Sequence, residues 1–209
     1  MPILFDLAKY LGSVFVETGT GTGDGVIAAM RARFKHIHSI EISEDAHELA
    51  QLAVKAESEV SPPYGTVTLH KGFSSDLLQS ICEPLLWQLS AKKSDHTTFF
   101  TFWLDAQARL DTGTSAEIGT NPWPLLDELK IIRSLFKGAL KPPVILINRL
   151  GLMNHPDAWG GHNVTLENVA QLIGKIHSSY GYHLYPGEAG ENDVLAAVPA
   201  WIQAASTWP

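Results

Sequence analysis

The chain has 209 residues, with 15 Lys and Arg against 22 Asp and Glu, so its formal charge is −7. Apolar residues make up 45% and charged residues 18%, which is typical of a globular protein and excludes an intrinsically disordered chain. The acidic balance disfavours nucleic acid as a partner, because phosphate backbones are bound by clustered Lys and Arg.

Three further features of the sequence bound its class. No apolar run has the length of a membrane span, and the first residues lack the pattern of a secretion signal. The single cysteine, Cys82, cannot form an internal disulfide. We therefore expect a cytoplasmic protein that makes no membrane contact, with one domain spanning residues 1–209.

Short β-branched or aromatic runs alternate with longer amphipathic stretches. The runs predict strands at 14–17, 37–42, 66–70, 99–104, 143–148, 182–186 and 193–198. The stretches predict helices at 24–34, 76–89, 125–135 and 166–180, and one more that opens at Ser43 as its N-cap. This order predicts an α/β fold: a doubly wound, mostly parallel seven-stranded sheet with an antiparallel last strand.

Two long irregular stretches, 106–124 and 149–164, each follow a predicted strand. They should therefore lie at the carboxyl edge of the sheet, where ligands of such folds bind.

The strongest local signal is a glycine-rich loop between the first strand and the first helix, Glu17-Thr-Gly-Thr-Gly-Thr-Gly23. Glycines let a ligand approach the backbone where a Cβ atom would collide. A dinucleotide site requires G-x-G-x-x-G/A, and only Gly23-Asp-Gly-Val-Ile-Ala28 fits, too far beyond the strand for a tight turn. Glu17 and Asp24 would repel a pyrophosphate and suit a cationic ligand. Glu41, at the end of the second strand, is placed to accept the ribose hydroxyls of an adenosine.

These residues resemble a known family. Glu17-x-Gly-x-Gly-x-Gly23 followed by Glu41 resembles motif I and the next acidic motif of class I S-adenosylmethionine-dependent methyltransferases. The resemblance extends over nearly the whole chain, through HKGFSSD at 70–76, FWLD at 102–105 and DVLAA at 193–197. More narrowly, VETGTGTGDGV, IHSIEIS, FWLDA and VILIN look like a loosely characterised bacterial and viral branch of that superfamily.

The resemblance implies S-adenosylmethionine as cofactor and a set of residues that contact it. That set is Glu17, Thr18, Gly19, Thr20, Gly21, Gly23, Asp24, Glu41, Ile42, Phe73, Ser74 and Asp105. In it, the glycine backbone cradles the aminocarboxypropyl group and Glu41 binds the ribose. Ile42 and Phe73 contact the adenine, with Ser74 near its amine. Asp105 lies near the methionine ammonium or the substrate.

The chain departs from this branch at two strand ends. Asp105-Ala-Gln107 stands where the branch often has Asp-Gly-His, and Asn148-Arg149 where it often has paired aspartates. Catechol-type O-methyltransferases hold magnesium at these two ends, and a hard divalent cation prefers several oxygen ligands. With Arg149 beside the surviving pair, we expect no resident metal.

We predict methyl transfer to a small-molecule acceptor, with Asp105 and His155 as the catalytic residues. A histidine suits the role of general base because its pKa lies near neutrality, although His155 and His162 could equally be polar loop residues. Two alternatives remain: an NAD(P)-dependent oxidoreductase that uses the Gly23–Ala28 register, and a non-catalytic module that binds an adenosine ligand. The acceptor atom and the oligomeric state do not follow from the sequence.

Overall fold

A computed structural model describes residues 6–90, 99–106, 123–154, 164–188 and 190–205. The described strands are β1 (Val14–Thr18), β2 (His36–Glu41), β3 (Thr66–Lys71), β4 (Phe100–Leu104), β5 (Val144–Ile147), β6 (Tyr180–Gly187) and β7 (Gly190–Pro199). The described α-helices are α1 (Asp24–Arg31), α2 (Glu44–Val60), α3 (Ser74–Ser90), α4 (Leu125–Phe136), α5 (Leu166–Gly174) and α6 (Ala200–Ala205). Short 3-10 helices occupy Leu7–Tyr10 and Leu150–Asn154.

Within the described residues the strands form one sheet in the order β3-β2-β1-β4-β5-β7-β6. Strands β1 to β5 pair in parallel, and β7 runs antiparallel to both β5 and β6. The predicted fold class is therefore confirmed. The chain moves outward from β1 in one direction and then returns to β4 on its other side, which creates a topological switch point between these two strands.

The central strands are buried on both faces, as their continuous apolar runs indicate. Val14 and Val16 of β1 belong to the core on one face, together with α3, α4 and α5. Phe15 points to the opposite core, where Val26 of α1 also packs. This two-sided packing leaves the strand ends as the place where polar groups of the sheet can meet a ligand.

Most predicted boundaries hold to within a few residues, and Ser43 is indeed the N-cap of α2, its hydroxyl accepting from the Ala46 amide. Two predicted helices were too long. The first ends at Arg31, because Arg33 adopts a left-handed φ of 71° that breaks the helix. The helix predicted over 166–180 ends at Gly174. Beyond it, a turn forms in which His177 Nδ1 accepts from the Ser179 amide, and β6 then begins.

None of the described helices combines the length and apolar character that crossing a bilayer requires.

Candidate functional site

The site lies where β1 and β4 end side by side at the switch point. Thr18 and Leu104, the last residues of the two strands, are register partners. The next residue on β4, Asp105, donates its amide to the Thr18 carbonyl at 3.0 Å. Gly19 adopts a φ of +79°, and a Cβ there would lie 2.5 Å from the Asp105 carbonyl oxygen. Only glycine therefore allows the loop after β1 and the end of β4 to approach this closely.

The glycine loop forms a backbone cup that opens at Gly21. This residue has a φ of +54°, and a Cβ built on it would meet no described atom within 4 Å. Gly23, with a φ of +91°, is the N-cap of α1, and its amide donates to the Thr20 carbonyl at 3.0 Å. The loop is thus held at both ends while its middle presents bare backbone to open space, as a cradle for a ligand requires.

Glu41 joins this loop to the start of α2. Its Oε2 accepts from the Gly21 amide and its Oε1 accepts from the Ser43 amide, both at 2.8 Å. The side chain is nearly buried, yet each carboxylate oxygen keeps further acceptor capacity for a ligand hydroxyl. The structure therefore brings Glu41 to the loop, as the sequence spacing predicted.

Glu17 lies beneath the loop rather than on its open side. It is 2% exposed, and its Oε2 accepts from the Ser39 hydroxyl at 2.5 Å. Since Ser39 donates to Glu17, Thr20 must donate to Ser39, which lies 2.6 Å away. Burial raises the pKa of Glu17 well above its usual range, and the nearby Asp105 and Glu41 act in the same direction. Any effect of Glu17 on a ligand is therefore indirect.

Ile42, Phe73 and Ser74 follow the ends of β2 and β3. The two ends meet through the Gly72 amide, which donates to the Glu41 carbonyl at 2.9 Å. Phe73 is 42% exposed, an apolar ring left open after β3, whereas Ser74 is buried at the first residue of α3. Asp24, at the start of α1, accepts from the Thr22 hydroxyl at 2.9 Å.

On the other side of the switch point, Asp105 is held by side chains from β5 and the residues after it. Asn148 Nδ2 donates to Asp105 Oδ2 at 3.0 Å, and Arg149 Nε lies 3.6 Å from Oδ1. Arg149 also places Nη2 at 3.8 Å from Glu188, between β6 and β7. Burial raises the pKa of Asp105 to about 6, and Arg149 and Asn148 partly offset that rise.

Arg149 has a left-handed φ of 61°, which is uncommon for a residue with a side chain. Strained backbone of this kind persists where the surrounding structure imposes it, often at functional sites. Here it carries the guanidinium back over the end of β4, toward Asp105.

His155 and Gln107 lie outside the described residues, as do Asp157, Trp159 and His162. The role predicted for His155 thus stays a prediction.

Sequence reasoning missed Glu128, which is 0% exposed on the first turns of α4. A signal for it exists. Leu125, Glu128 and Leu129 follow the helical spacing of one buried face, so a carboxylate stands on an apolar stripe. Burial raises its pKa to about 7.

No protein-family model matches the chain, and no curated protein matches it. Solved structures do. A Clostridium thermocellum protein assigned as an rRNA-methylase is 13% identical, with a TM-score of 0.54 over 92% of each chain. The small RNA methyltransferase HEN1 is 12% identical, with a TM-score of 0.50 over 91% of this chain and 23% of its own. The chain has the class I methyltransferase fold.

An O-methyltransferase from Bacillus cereus, solved with S-adenosylhomocysteine, is also similar, at 16% identity and a TM-score of 0.49 over 92% of this chain and 76% of its own. At such identities the likeness concerns the fold. Within this methyltransferase fold, the glycine loop, Glu41 and Asp105 meet at the carboxyl edge of the central strands.

Proposed function

We propose that this chain binds S-adenosylmethionine and transfers its methyl group to a small-molecule acceptor. The observation that carries the proposal is the backbone cup at Gly21, which no described atom fills and which lies beside the carboxylates of Glu41 and Asp105. A buried acidic border favours a ligand with net positive charge, because opposite charges attract strongly away from water.

Two features weigh against a dinucleotide. The acidic border would repel a pyrophosphate. The only matching register, Gly23 to Ala28, begins at the N-cap of α1, so Gly25 and Ala28 lie inside the helix rather than in a loop. The remaining loop glycines do not have the dinucleotide spacing.

When bound, the cofactor would supply an activated methyl carbon on a sulfonium, whose bonding electron pair stays on sulfur as the methyl group leaves. The residues of the chain then have to orient the acceptor and take its proton. Asp105 is placed for this work because Asn148 fixes its carboxylate and its pKa of about 6 leaves it largely ionised at neutral pH. We propose Asp105 as a catalytic residue, with His155 as a second candidate base.

A small acceptor is favoured by charge. The chain carries −7 overall, and in this half of the site the carboxylates of Asp105, Glu188 and the buried Asp193 outnumber the guanidinium of Arg149. A nucleic acid would bring a phosphate backbone against this acidic surface.

The test begins with calorimetric titration of the protein with S-adenosylmethionine, S-adenosylhomocysteine and NADH. We expect the first two to bind and NADH not to bind. If NADH binds tightly and S-adenosylhomocysteine does not bind, the protein is an oxidoreductase instead.

Turnover is then followed with methyl-labelled cofactor against a panel of small hydroxyl and amine compounds. We expect Asp105→Asn to lower turnover at least ~100-fold even at saturating cofactor, a larger loss than its effect on cofactor affinity. Asp127→Asn is the matched control, since Asp127 is an exposed carboxylate paired with Lys130. Unchanged turnover in Asp105→Asn would refute its catalytic role.

A further inference from the structure

Glu128 is a carboxylate buried close to the site. It is 0% exposed, and neither of its oxygens makes a close hydrogen bond within the described part of the chain. Buried carboxyl groups are normally hydrogen-bonded or paired, because leaving water without compensation is costly. A group left in this state within a folded protein therefore needs an explanation.

A second buried polar group lies next to Glu128. The Thr18 hydroxyl, at the end of β1, is buried beside Glu128 and makes no close hydrogen bond with any described residue. The Thr18 and Ser74 hydroxyls stand near enough to Glu128 to stabilise its ionised form. Thr18 directly precedes the glycine loop, and its carbonyl accepts from Asp105. Glu128 is thus a neighbour of Thr18, the residue that directly precedes the glycine loop.

Among the described residues, the charges that act on Glu128 are those of Asp105 and Asp127. Asp105 faces it from the end of β4, and Asp127 precedes it on α4; both disfavour its ionisation. The groups from β1 and α3 are the hydroxyls of Thr18 and Ser74. Burial is the largest influence, and it brings the pKa of Glu128 to about 7, so a nearby cation can decide its charge.

The cofactor and its product differ in charge at one atom. S-adenosylmethionine carries a positive sulfonium, and S-adenosylhomocysteine carries a neutral thioether. A carboxylate close by in a medium of low polarity attracts only the first. Whatever ionises Glu128 therefore strengthens binding of the cofactor more than binding of the product.

We propose that Glu128 is a proton-linked positioning residue, which ionises when the cationic cofactor binds and thereby makes the site favour cofactor over product. This inference rests on the proposed function. After methyl transfer the sulfur is neutral, Glu128 takes up a proton again, and the product loses an attraction that had held the cofactor. The change in charge therefore favours dissociation of the product.

The test is a calorimetric titration of both ligands from about pH 5.5 to about pH 8.5, in buffers of different ionisation enthalpy. In the wild type, we expect the preference for cofactor over product to rise roughly tenfold between about pH 6 and about pH 8. Near pH 7, cofactor binding should release a fraction of a proton, and product binding should release less.

Glu128→Gln should lose most of that rise and release fewer protons, because its amide keeps the shape but cannot ionise. Asp127→Asn, one position away on the same helix, should retain both. Asp105→Asn should also retain a proton release, shifted to somewhat lower pH because Asp105 disfavours ionisation of Glu128, and this separates Glu128 from Asp105.

Wild-type behaviour in Glu128→Gln would overturn the inference while leaving the proposed function in place. Failure of both ligands to bind the wild type would instead overturn the proposed function, and this inference with it. If Glu128→Gln does not fold, the wild-type and Asp105→Asn titrations decide: equal proton release for the two ligands, or release that disappears in Asp105→Asn, contradicts the role of Glu128.

Discussion

The two halves of the site are built by different kinds of contact. On the β1 side, the glycine loop is held by backbone amides, with Glu41 accepting from Gly21 and Ser43 at 2.8 Å. On the β5 side, the Asp105 carboxylate is held by side chains, and Arg149 reaches it at 3.6 Å and Glu188 at 3.8 Å. Backbone contacts tolerate little change, whereas longer contacts between side chains can be replaced singly. In the proposed function, the first half would hold the cofactor and the second half the acceptor.

The largest expected effect comes from Gly19→Ala. The added Cβ would collide with the Asp105 carbonyl in a backbone that already has a φ of +79°. We expect a loss of about 4 kcal/mol in the free energy of unfolding, measured in urea, and no detectable cofactor binding.

Gly138→Ala is the matched control, because Gly138 has a φ of +75° but a Cβ there meets no described atom within 4 Å. It should cost only ~1 kcal/mol. Equal losses in the two variants would show that the close approach of Gly19 to β4 is unimportant.

Gly21→Ala separates ligand binding from folding. Its Cβ enters open space, so we expect a loss of only ~1 kcal/mol in stability, as in Gly138→Ala. A ligand cradled by the loop would meet that methyl group, and its affinity should fall roughly 100-fold by calorimetry. Undiminished affinity would place the ligand elsewhere.

Glu128→Gln should raise the stability of the folded protein, whereas the glycine substitutions lower it. The pKa of Glu128 is raised to about 7 in the folded protein. At a pH between the pKa of the unfolded chain and this value, Glu128 is therefore protonated in the folded protein but ionised in the unfolded chain. This contribution is complete below the unfolded pKa and is lost as the pH rises through about 7. At about pH 8 the variant without ligand should therefore be more stable than wild type, by ~2 kcal/mol, and at about pH 5 nearly equal. Denaturant titrations at the two pH values check this, with Asp127→Asn as control.

The smallest effect concerns Arg149. Its guanidinium lowers the pKa of Asp105, so Arg149→Met should raise that pKa above about 6. The rise should correspond to less than ~1.4 kcal/mol in the free energy of ionisation. Titration of the carboxyl carbon by NMR measures it, and Lys130→Met, in which the partner of Asp127 is removed, should leave it unchanged. A fall in the pKa of Asp105 would contradict the contact.

The sequence was informative where function depends on neighbours along the chain. The glycine loop, the Ser43 cap and Glu41 follow from local spacing, and the structure brings them together. The pairing of Asp105 with Asn148 also follows, because both residues end parallel strands. Strand ends are thus predictable in position even when their side-chain chemistry is not.

What the sequence concealed depends on contacts between distant elements. Arg149 turns back toward Asp105 through a left-handed backbone that its residue type does not favour. The sequence led to no conclusion about Glu128, since it is the packing of α4 against α3 and the sheet that buries this residue. Its apolar neighbours at helical spacing were the available signal.

The contact between Glu188 and Arg149 has a consequence for engineering. This residue lies in the short connection between β6 and β7, whose flanking residues Gly187 and Gly190 pair across the hairpin. The proposed function predicts that other sequences grafted onto that hairpin tip would change which acceptors are bound while cofactor binding at the glycine loop is retained. Libraries aimed at new acceptors should therefore begin at the tip.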